Sequence, residues 1–342
     1  MQETLRALRD QIRAFLSAPD DGFEDLAWRI FEFQFTYNAP YHAFCKSLGT
    51  TPTAIRSWDE IPPVPADGFK GATPLSCLPA NECERIFLTS GTTAERRGRH
   101  FLADTVLYET SVREGWNRAD LPRGLPSLFL SRSPAAAPDS SLACMFGYLA
   151  DERSPWLLTE EGSIEIGPLE EACSAGKPVL LFSTALAFRH FFEQFPEQGP
   201  LPPGSWAFHT GGYKGVSETY RPSDLYETIE SQLAVPAERV INEYGMTELS
   251  SPSYSVGLDH PHRTPPWLKV RSIHPETNQP SQPGELGHLV FCDLANLNSV
   301  AALRTEDLGT VLDEHTFVLA GRDPTALPRG CSRASDAFLQ NP

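Results

Sequence analysis

A loop rich in hydroxyl groups follows the apolar run at residues 86–88. Its sequence, TSGTTAERRGR, places four hydroxyl side chains around Gly91 and adds three arginines: Thr89, Ser90, Gly91, Thr92, Thr93, Arg96, Arg97 and Arg99. Hydroxyls and exposed backbone N–H groups donate hydrogen bonds to phosphate oxygens, and guanidinium groups balance their charge. The Walker A pattern G-x-x-x-x-G-K-[ST] is absent. The loop therefore predicts a phosphate-binding turn of another kind, with a hydroxyl-rich helix cap as the alternative.

Two further segments place chemically useful side chains after apolar runs. The sequence INEYGMTELSS (241–251) delivers an aromatic ring, a hydroxyl and a carboxylate through Tyr244, Thr247 and Glu248. A ring can stack on a base, a hydroxyl can bind a phosphate, and a carboxylate can hold Mg²⁺. Asp307, in LRTEDLGTV (303–311), is expected in a turn between strands, where its carboxylate can accept hydrogen bonds from vicinal ribose hydroxyls.

A single cysteine near the end of the chain has unusual neighbours. Cys331 lies between Arg329 and Arg333 in the sequence LPRGCSRASD. This composition predicts an exposed and partly ionised thiol, with an accidental cysteine in a polar terminus as the alternative. The seven cysteines include no C-x-x-C pair, which favours reduced thiols and a cytoplasmic protein. The prolines flanking the histidines in DHPHR (259–263) favour a surface loop over a metal site there.

The composition excludes several classes of protein. A chain of 342 residues with 40% hydrophobic and 21% charged residues is typical of a soluble globular protein. No apolar run reaches 18 residues, so a transmembrane helix is not expected. The formal net charge of −16, with scattered positive residues, argues against binding to nucleic acid.

The elements that position these residues alternate along the middle of the chain. Apolar runs at 85–90, 127–131, 178–183, 205–210 and 239–245 predict strands, and the intervening patterns predict helices at 104–116, 185–195 and 222–233. Strands alternating with helices predict an α/β fold with a mostly parallel sheet flanked by helices. Amphipathic helices are expected at 3–17 and 24–48, the latter as one helix or two, and strands joined by turns are expected after residue 266.

The order of the motifs resembles that of the adenylate-forming enzymes, which activate carboxylates with ATP. TSGTT, YGMTE, R-T-x-D-L-G and GR (321–322) occur in the order of that superfamily. Further motifs resemble the acyl-protein synthetases, the acid-activating subunits of bacterial fatty-acid reductase: IPPVPADGFK (61–70), TGGYKG (210–215), PPW (265–267) and GR…RGCS (321–332). The resemblance runs from about residue 60 to the end. It implies a catalytic core at 61–320 and a C-terminal arm at 321–342. The apolar patterns predict a helical segment packed on the core at 1–60 and a small β-rich subdomain at about 266–320.

The resemblance also implies roles for individual residues. The implied nucleotide-binding residues are Thr89, Ser90, Gly91, Thr92, Thr93, Arg97, Gly211, Gly212, Tyr244, Gly245, Met246, Thr247, Asp307 and Arg322. Tyr244 would stack on adenine, Thr247 would touch the α-phosphate, and Glu248 would ligate Mg²⁺. Asp307 and Arg322 would hold the ribose, while Gly211 and Gly212 would line the adenine and acyl pocket. Arg97 stands where the family usually has lysine, and Cys331 stands where the synthetases have the cysteine that receives the acyl group.

Three departures from the family pattern bear on activity. Ala94 replaces the glycine after TSGTT, and Glu306 replaces the glycine of R-T-G-D. The chain is also expected to lack the separate C-terminal lid domain that carries a catalytic lysine in most adenylating enzymes. Lys214 and Lys70 are the candidates for that role, and pairing with surface carboxylates is the alternative for each.

The expected function is ATP- and Mg²⁺-dependent conversion of a carboxylic acid, typically a fatty acid, to acyl-AMP. The acyl group would then pass to Cys331 as a thioester and onward to a partner protein, a reductase or a carrier. One alternative is a ligase that delivers acyl-AMP to coenzyme A or a carrier protein while Cys331 stays idle. The other is a degenerate binding module without catalysis, motivated by Ala94 and Glu306.

Overall fold

The structure is a computed structural model, which describes residues 1–89, 97–211, 221–282 and 284–323. Its helices are α1 Gln2–Ser17, α2 Phe23–Tyr37, α3 Ala39–Ser47, α4 Val106–Arg118, α5 Ser141–Leu149, α6 Gly167–Ala175, α7 Ala185–Gln194 and α8 Pro222–Leu233. Its strands are β1 Val64–Pro65, β2 Arg85–Leu88, β3 Arg99–Leu102, β4 Ser127–Leu130, β5 Leu180–Thr184, β6 Trp206–Thr210, β7 Val240–Tyr244, β8 Ser253–Val256, β9 His262–Arg263, β10 Leu268–Ile273, β11 Leu286–Asp293, β12 Ala302–Asp313 and β13 Thr316–Arg322.

One large mixed sheet organises the described part of the chain. Its order is β10-β11-β12-β13-β9-β8-β7-β6-β5-β4, with β1 paired to β12, and β2 and β3 form a separate pair. Strands β4 to β7 are parallel, and the strands from β8 to β13 pair antiparallel. The predicted α/β fold is therefore confirmed, and the antiparallel strands continue the same hydrogen-bonded sheet. Every residue of β5 is buried, as expected for a strand covered on both faces.

The N-terminal helices follow their apolar periodicity. The predicted stripe of α1 is buried at Leu5, Leu8, Ile12, Phe15 and Leu16. The pattern at 24–48 forms two helices, because the Asn38 side chain caps α3 at the Tyr41 backbone N–H. The helix predicted from Asp104 begins at Val106, and the Asp104 carboxylate accepts a hydrogen bond from the Val106 N–H at 3.1 Å.

Two buried polar side chains hold the loop between β11 and β12 in place: Gln34 of α2, and Asn38, which follows α2 and caps α3. The Gln34 amide donates to the carbonyls of Asn296 and Leu297, and it accepts a hydrogen bond from the Ala301 N–H. Asn38 Nδ2 donates to the Ser299 carbonyl at 2.9 Å. Because buried polar groups are costly unless paired, these bonds hold the loop in one position against the helix.

No helix within the described ranges combines the length and the apolar character that crossing a bilayer requires.

Candidate active site

The carboxyl ends of β6 and β7 meet at one edge of the sheet, where the predicted TGG and YGMTE segments begin. Thr210 pairs with Glu243 across these strands, and the Thr210 hydroxyl donates a hydrogen bond to the buried Glu243 carboxylate. Burial raises the pKa of Glu243 to about 7, and the Thr210 hydrogen bond opposes this shift. A Cβ atom on Gly245 would lie 2.2 Å from Glu243 Oε1, so a larger residue here would require the buried Glu243 carboxylate to move. Gly211 comes directly after Thr210 and has a φ of +73°, a backbone conformation that favours glycine.

Tyr244 connects the parallel strands to β12. Its hydroxyl donates a hydrogen bond to Asp307 Oδ2 at 3.0 Å, and its ring packs against Phe291 and edge-on to Phe317. The structure thus brings together two residues predicted to contact the nucleoside. The expectation that Asp307 lies in a turn is wrong, because it lies inside β12, opposite Arg322 of β13. The stacking of adenine on Tyr244 remains a prediction, and the face of the ring against Phe291 is already covered.

Glu248 lies at the centre of a charged cluster. Its side chain is 4% exposed, and burial raises its pKa to about 7. The charges of Asp307 and Glu306 raise this pKa further, whereas its own backbone N–H and the nearby ammonium group of Lys70 lower it. The cluster therefore joins residues separated by more than 200 positions in sequence, and it places Lys70, one of the two lysine candidates, near enough to act electrostatically on the predicted Mg²⁺ ligand.

The position of Lys70 follows from the short strand β1. Val64 and Pro65 pair in parallel with Leu303 and Arg304 of β12, and a 3₁₀ turn over Ala66–Lys70 follows. The motif IPPVPADGFK thus runs alongside β12 and delivers its lysine to the acidic cluster. Lys70 Nζ also lies 3.3 Å from Asp67 Oδ1, so the predicted alternative of pairing with a carboxylate is realised as well.

The segment after Tyr244 is fixed by residues that no sequence motif indicated. His100 Nδ1 donates to the Thr247 carbonyl at 2.7 Å, and its Nε2 lies 2.9 Å from Ser299 Oγ. Burial lowers the pKa of His100 to about 4, so the ring is neutral and Nε2 accepts the Ser299 proton. Asn296 Nδ2 donates to the Glu248 carbonyl at 2.8 Å. The backbone that carries Thr247 and Glu248 is therefore held in place by buried hydrogen bonds.

The hydroxyl-rich loop has a hydrogen-bonded base. The Thr89 N–H donates to the Gly98 carbonyl at 2.9 Å, and the Gly98 N–H donates to Thr89 Oγ1 at 2.7 Å. Arg97 donates to the Thr89 carbonyl and to the Asp139 carboxylate. Thr89 and Arg97 thus close the ends of the loop. The Thr89 carbonyl and the Asp139 carboxylate already occupy part of the Arg97 guanidinium. A contact between Arg97 and a triphosphate remains a prediction.

Arg322 is engaged by the residue that departs from the family pattern. Its guanidinium donates to the Glu306 carboxylate across β12 and β13. Asp323 continues this link, because its N–H donates to the Glu306 carbonyl at 2.9 Å and its carboxylate lies 2.9 Å from His288 Nε2. If position 306 held the glycine that is usual in the family, the Arg322 guanidinium would lack the Glu306 carboxylate as a hydrogen-bond acceptor.

Several predicted site residues lie outside the described ranges: Ser90, Gly91, Thr92, Thr93, Gly212, Lys214 and Cys331. Met246 is partly buried against the core. Of the predicted set, the structure brings Tyr244, Thr247, Glu248, Asp307, Arg322 and Lys70 to one end of the sheet. Their roles toward a nucleotide remain predictions.

The acidic cluster fits a Mg²⁺ ion that is shared with phosphates. Glu248 offers buried carboxylate oxygens, the donor type that Mg²⁺ prefers, and Asp307 and Glu306 add negative charge. Within the described ranges, no group of three or more His, Cys, Asp or Glu side chains could hold a metal ion by itself. One or two carboxylates completed by phosphate oxygens and water is the arrangement that Mg²⁺ commonly adopts.

Comparisons with known proteins agree with the motifs and the fold. No protein-family profile matches the chain. A curated relative, the long-chain-fatty-acid–luciferin-component ligase of Vibrio harveyi, is 22% identical over 331 residues, covering 90% of this chain and 86% of the relative. A crystal structure of 2-hydroxyisobutyryl-CoA ligase in the postadenylation state, in complex with R3-HIB-AMP, has a TM-score of 0.63 at 12% identity and covers 90% of this chain and 69% of that one.

A second solved structure resembles the chain over a shorter span. The ATP-bound RpMatB-BxBclM chimera B3 has a TM-score of 0.51 at 14% identity and covers 72% of this chain. This chain spans about half of it, 49%. Together the comparisons confirm the resemblance that the motifs predicted, and they show that the fold is that of the adenylate-forming ligases.

Proposed function

We propose that this protein is an ATP-dependent acid–thiol ligase that converts a carboxylic acid to acyl-AMP and transfers the acyl group to its own Cys331. The observation that carries the proposal is the meeting of Tyr244, Glu248, Asp307 and Lys70 at the carboxyl end of β7. Ligands of open α/β sheets bind beyond the carboxyl ends of the strands, which is where these side chains lie. The fold of the adenylate-forming ligases and the Vibrio harveyi relative support the same reaction class.

In the first proposed step, a carboxylate oxygen of the acid attacks the α-phosphorus of ATP and pyrophosphate leaves. Mg²⁺, when bound with the phosphates, neutralises part of their charge. Asp307 accepts hydrogen bonds from the ribose hydroxyls, and Arg322 donates to the ribose. Lys70 supplies positive charge near the reacting phosphate, the role that the family resemblance gives to a lysine. Fixed charges of this kind stabilise the transition state without reorganising during the reaction.

In the second proposed step, the Cys331 thiolate attacks the acyl carbonyl and AMP leaves, which yields a thioester. Burial raises the pKa of all six cysteines in the described ranges, so they are poor nucleophiles at neutral pH. Cys331, between Arg329 and Arg333, has neighbours that favour its thiolate. The thioester would then be delivered to a partner such as an acyl reductase or carrier. A reduced thiol requires a reducing compartment, which makes the cytoplasm the proposed location.

Pyrophosphate release across a panel of carboxylic acids tests the adenylation step. We expect release above background with at least one acid, and its absence with every acid would favour the non-catalytic binding module.

In the same assay, Lys70→Met should lower kcat by about 100-fold, because a cation near the reacting phosphates contributes several kcal/mol. Lys214→Met is the parallel variant. A large loss of kcat in Lys214→Met, with no loss in Lys70→Met, would mean that Lys214 supplies the positive charge near the reacting phosphate.

Glu306 is expected to weaken nucleotide binding in the natural sequence. Glu306→Gln keeps the side-chain size but removes the charge that engages Arg322, so its guanidinium becomes available to the ribose. We expect the KM for ATP to fall by about threefold, the value of a partly exposed ion pair. Arg322→Met should raise the KM in the same assay. A KM that rises in Glu306→Gln would mean that the ion pair orients Arg322 for binding.

A further inference from the structure

Arg99 follows the hydroxyl-rich loop in sequence, but its hydrogen bonds go to the protein backbone. Its Nη2 donates to the carbonyl oxygens of Gly71 and Ala72 at 3.0 and 3.1 Å. Its guanidinium carbon also lies 5.5 Å from the centre of the Phe101 ring, a cation–π contact that restricts the orientation of the side chain. The two carbonyls belong to the residues that directly follow Lys70. Arg99 therefore binds the backbone next to the lysine that the proposed mechanism uses.

The segment that carries Lys70 is held on both sides. Before it, the short strand β1 pairs with β12. After it, residues 71–79 form a loop that starts at Gly71, and glycine gives the backbone more conformational freedom than any other residue. The hydrogen bonds from Arg99 restrict that freedom at the start of the loop. Lys70 is thus suspended between β12 and β3.

The residue before Lys70 packs against the same part of the chain. The Phe69 ring meets the His100 ring edge-on, with 5.6 Å between the ring centroids. A Cβ atom on Gly98 would lie 2.9 Å from Thr89 Cγ2 and 3.5 Å from Phe69 Cβ. The lack of a side chain at position 98 therefore lets the Lys70 segment lie close to the base of the hydroxyl-rich loop.

The strand β3 also reaches the Glu248 segment. Successive side chains of a strand project from opposite faces, so the neighbours Arg99 and His100 can hold different segments. His100 donates to the Thr247 carbonyl, directly before Glu248, while Arg99 holds the backbone directly after Lys70. Two segments that are remote in sequence are thus attached to adjacent residues of one strand, and that strand starts where the hydroxyl-rich loop ends.

A phosphate-binding role is the alternative for Arg99. The loop sequence predicts that its guanidinium groups balance the charge of a phosphate, but the two N–H groups of Arg99 Nη2 serve the carbonyls of Gly71 and Ala72. The two roles differ in their kinetic consequences. Removing a nucleotide ligand raises the KM for ATP, whereas displacing a group that acts in the transition state lowers kcat.

We propose that Arg99 is a positioning residue for Lys70: it holds the Gly71–Ala72 backbone against β3 and so keeps the Lys70 ammonium group near Glu248 and the reacting phosphate. This inference rests on the proposed function. It adds a residue that acts through Lys70 and does not touch the substrate.

The test is a double-mutant cycle on the full-length protein, measured as pyrophosphate release with a saturating acid and varied ATP. The variants are Arg99→Met, Lys70→Met and the protein that carries both substitutions. Arg99→Met should lower kcat by about tenfold and leave the KM for ATP within about twofold, because a displaced catalytic group costs rate while the nucleotide contacts remain. In the Lys70→Met background, the same substitution should change kcat by less than about twofold, since the effects of residues that act through one another are not additive.

Arg118→Met is the matched control, because the Arg118 guanidinium also donates to a backbone carbonyl, that of Ser17 at the end of α1, at 2.8 Å. It should retain the kcat and the KM of the wild type. Arg99→Lys is a milder second variant, which keeps a cation and a hydrogen-bond donor at this position. Its kcat should lie between those of the wild type and Arg99→Met, and its effect should also disappear in the Lys70→Met background.

An equal loss of kcat from Arg99→Met in the wild-type and Lys70→Met backgrounds would overturn the inference, since Arg99 would then act independently of Lys70. A raised KM for ATP with an unchanged kcat would overturn it by making Arg99 a nucleotide-binding residue. Both results leave the proposed function in place. No release by the wild-type protein with any acid would overturn both the inference and the proposed function.

Discussion

Glu248→Gln is expected to lower kcat/KM for pyrophosphate release by about 100- to 1000-fold while leaving the fold intact. The side chain is buried at the carboxyl end of β7, and Lys70 stands close enough to lower its pKa. An amide has nearly the same shape as the carboxylate but carries no charge, so it binds Mg²⁺ weakly. Losing one fixed group that acts on transition-state charge commonly costs this much in rate. The measurement is steady-state pyrophosphate release with ATP and Mg²⁺ varied separately.

The stability of the same variant should move in the other direction. Burying a carboxylate is unfavourable, and the charges of Asp307 and Glu306 make the ionised form of Glu248 more costly still. The neutral amide removes this cost, so the thermal unfolding temperature should stay the same or rise. Such a trade between stability and activity is common at functional sites.

Glu306→Gln is the matched control, since it removes a carboxylate from the same cluster but not the predicted Mg²⁺ ligand. It should retain activity and bind ATP at least as well as the natural sequence. Equal losses in the two variants would mean that the charge of the cluster matters and that Glu248 has no special role. A Glu248→Gln protein with full activity would remove Glu248 from the proposed mechanism.

Local patterns predicted the elements of this fold well and one of its site residues poorly. The apolar runs gave the parallel strands and the stripe of α1, because these segments are buried on defined faces. Asp307 was misplaced in a turn, because Asp307 and Gly309 are of residue types common in turns. Pairing of β12 with β11 on one side and β13 on the other overrides that local preference.

The contacts that build the site could not be read from single segments. The hydrogen bond from Tyr244 to Asp307 spans 63 residues, and that from His100 to the Thr247 carbonyl spans 147. The family resemblance placed Tyr244, Thr247 and Asp307 in one site, but it gave no role to His100 or Glu243. Both are strand residues whose function depends on the neighbouring strand, and that neighbour is set by sheet order. A buried histidine or glutamate in an apolar run is the only signal that could have indicated them.

Cys331→Ser is expected to abolish a covalent acyl adduct while preserving pyrophosphate release. In the natural protein, incubation with ATP, Mg²⁺ and a suitable acid should add one acyl group, mapped to Cys331 by intact mass and peptide mass spectrometry. Serine keeps the size of the side chain but is far less ionised than a thiol flanked by Arg329 and Arg333, so it cannot attack the acyl carbonyl at a useful rate. Adenylation precedes this step and uses other residues, which is why pyrophosphate release should continue.

Cys173→Ser provides the control for nonspecific acylation, because Cys173 is partly exposed and burial raises the pKa of its thiol. This variant should form the adduct normally. An adduct that persists in Cys331→Ser would contradict self-acylation at Cys331. If no adduct forms in the natural protein but added coenzyme A yields an acyl thioester, the enzyme is a ligase for a free thiol acceptor and Cys331 is idle. Acyl-AMP is made in both cases, so the fate of the acyl group distinguishes them.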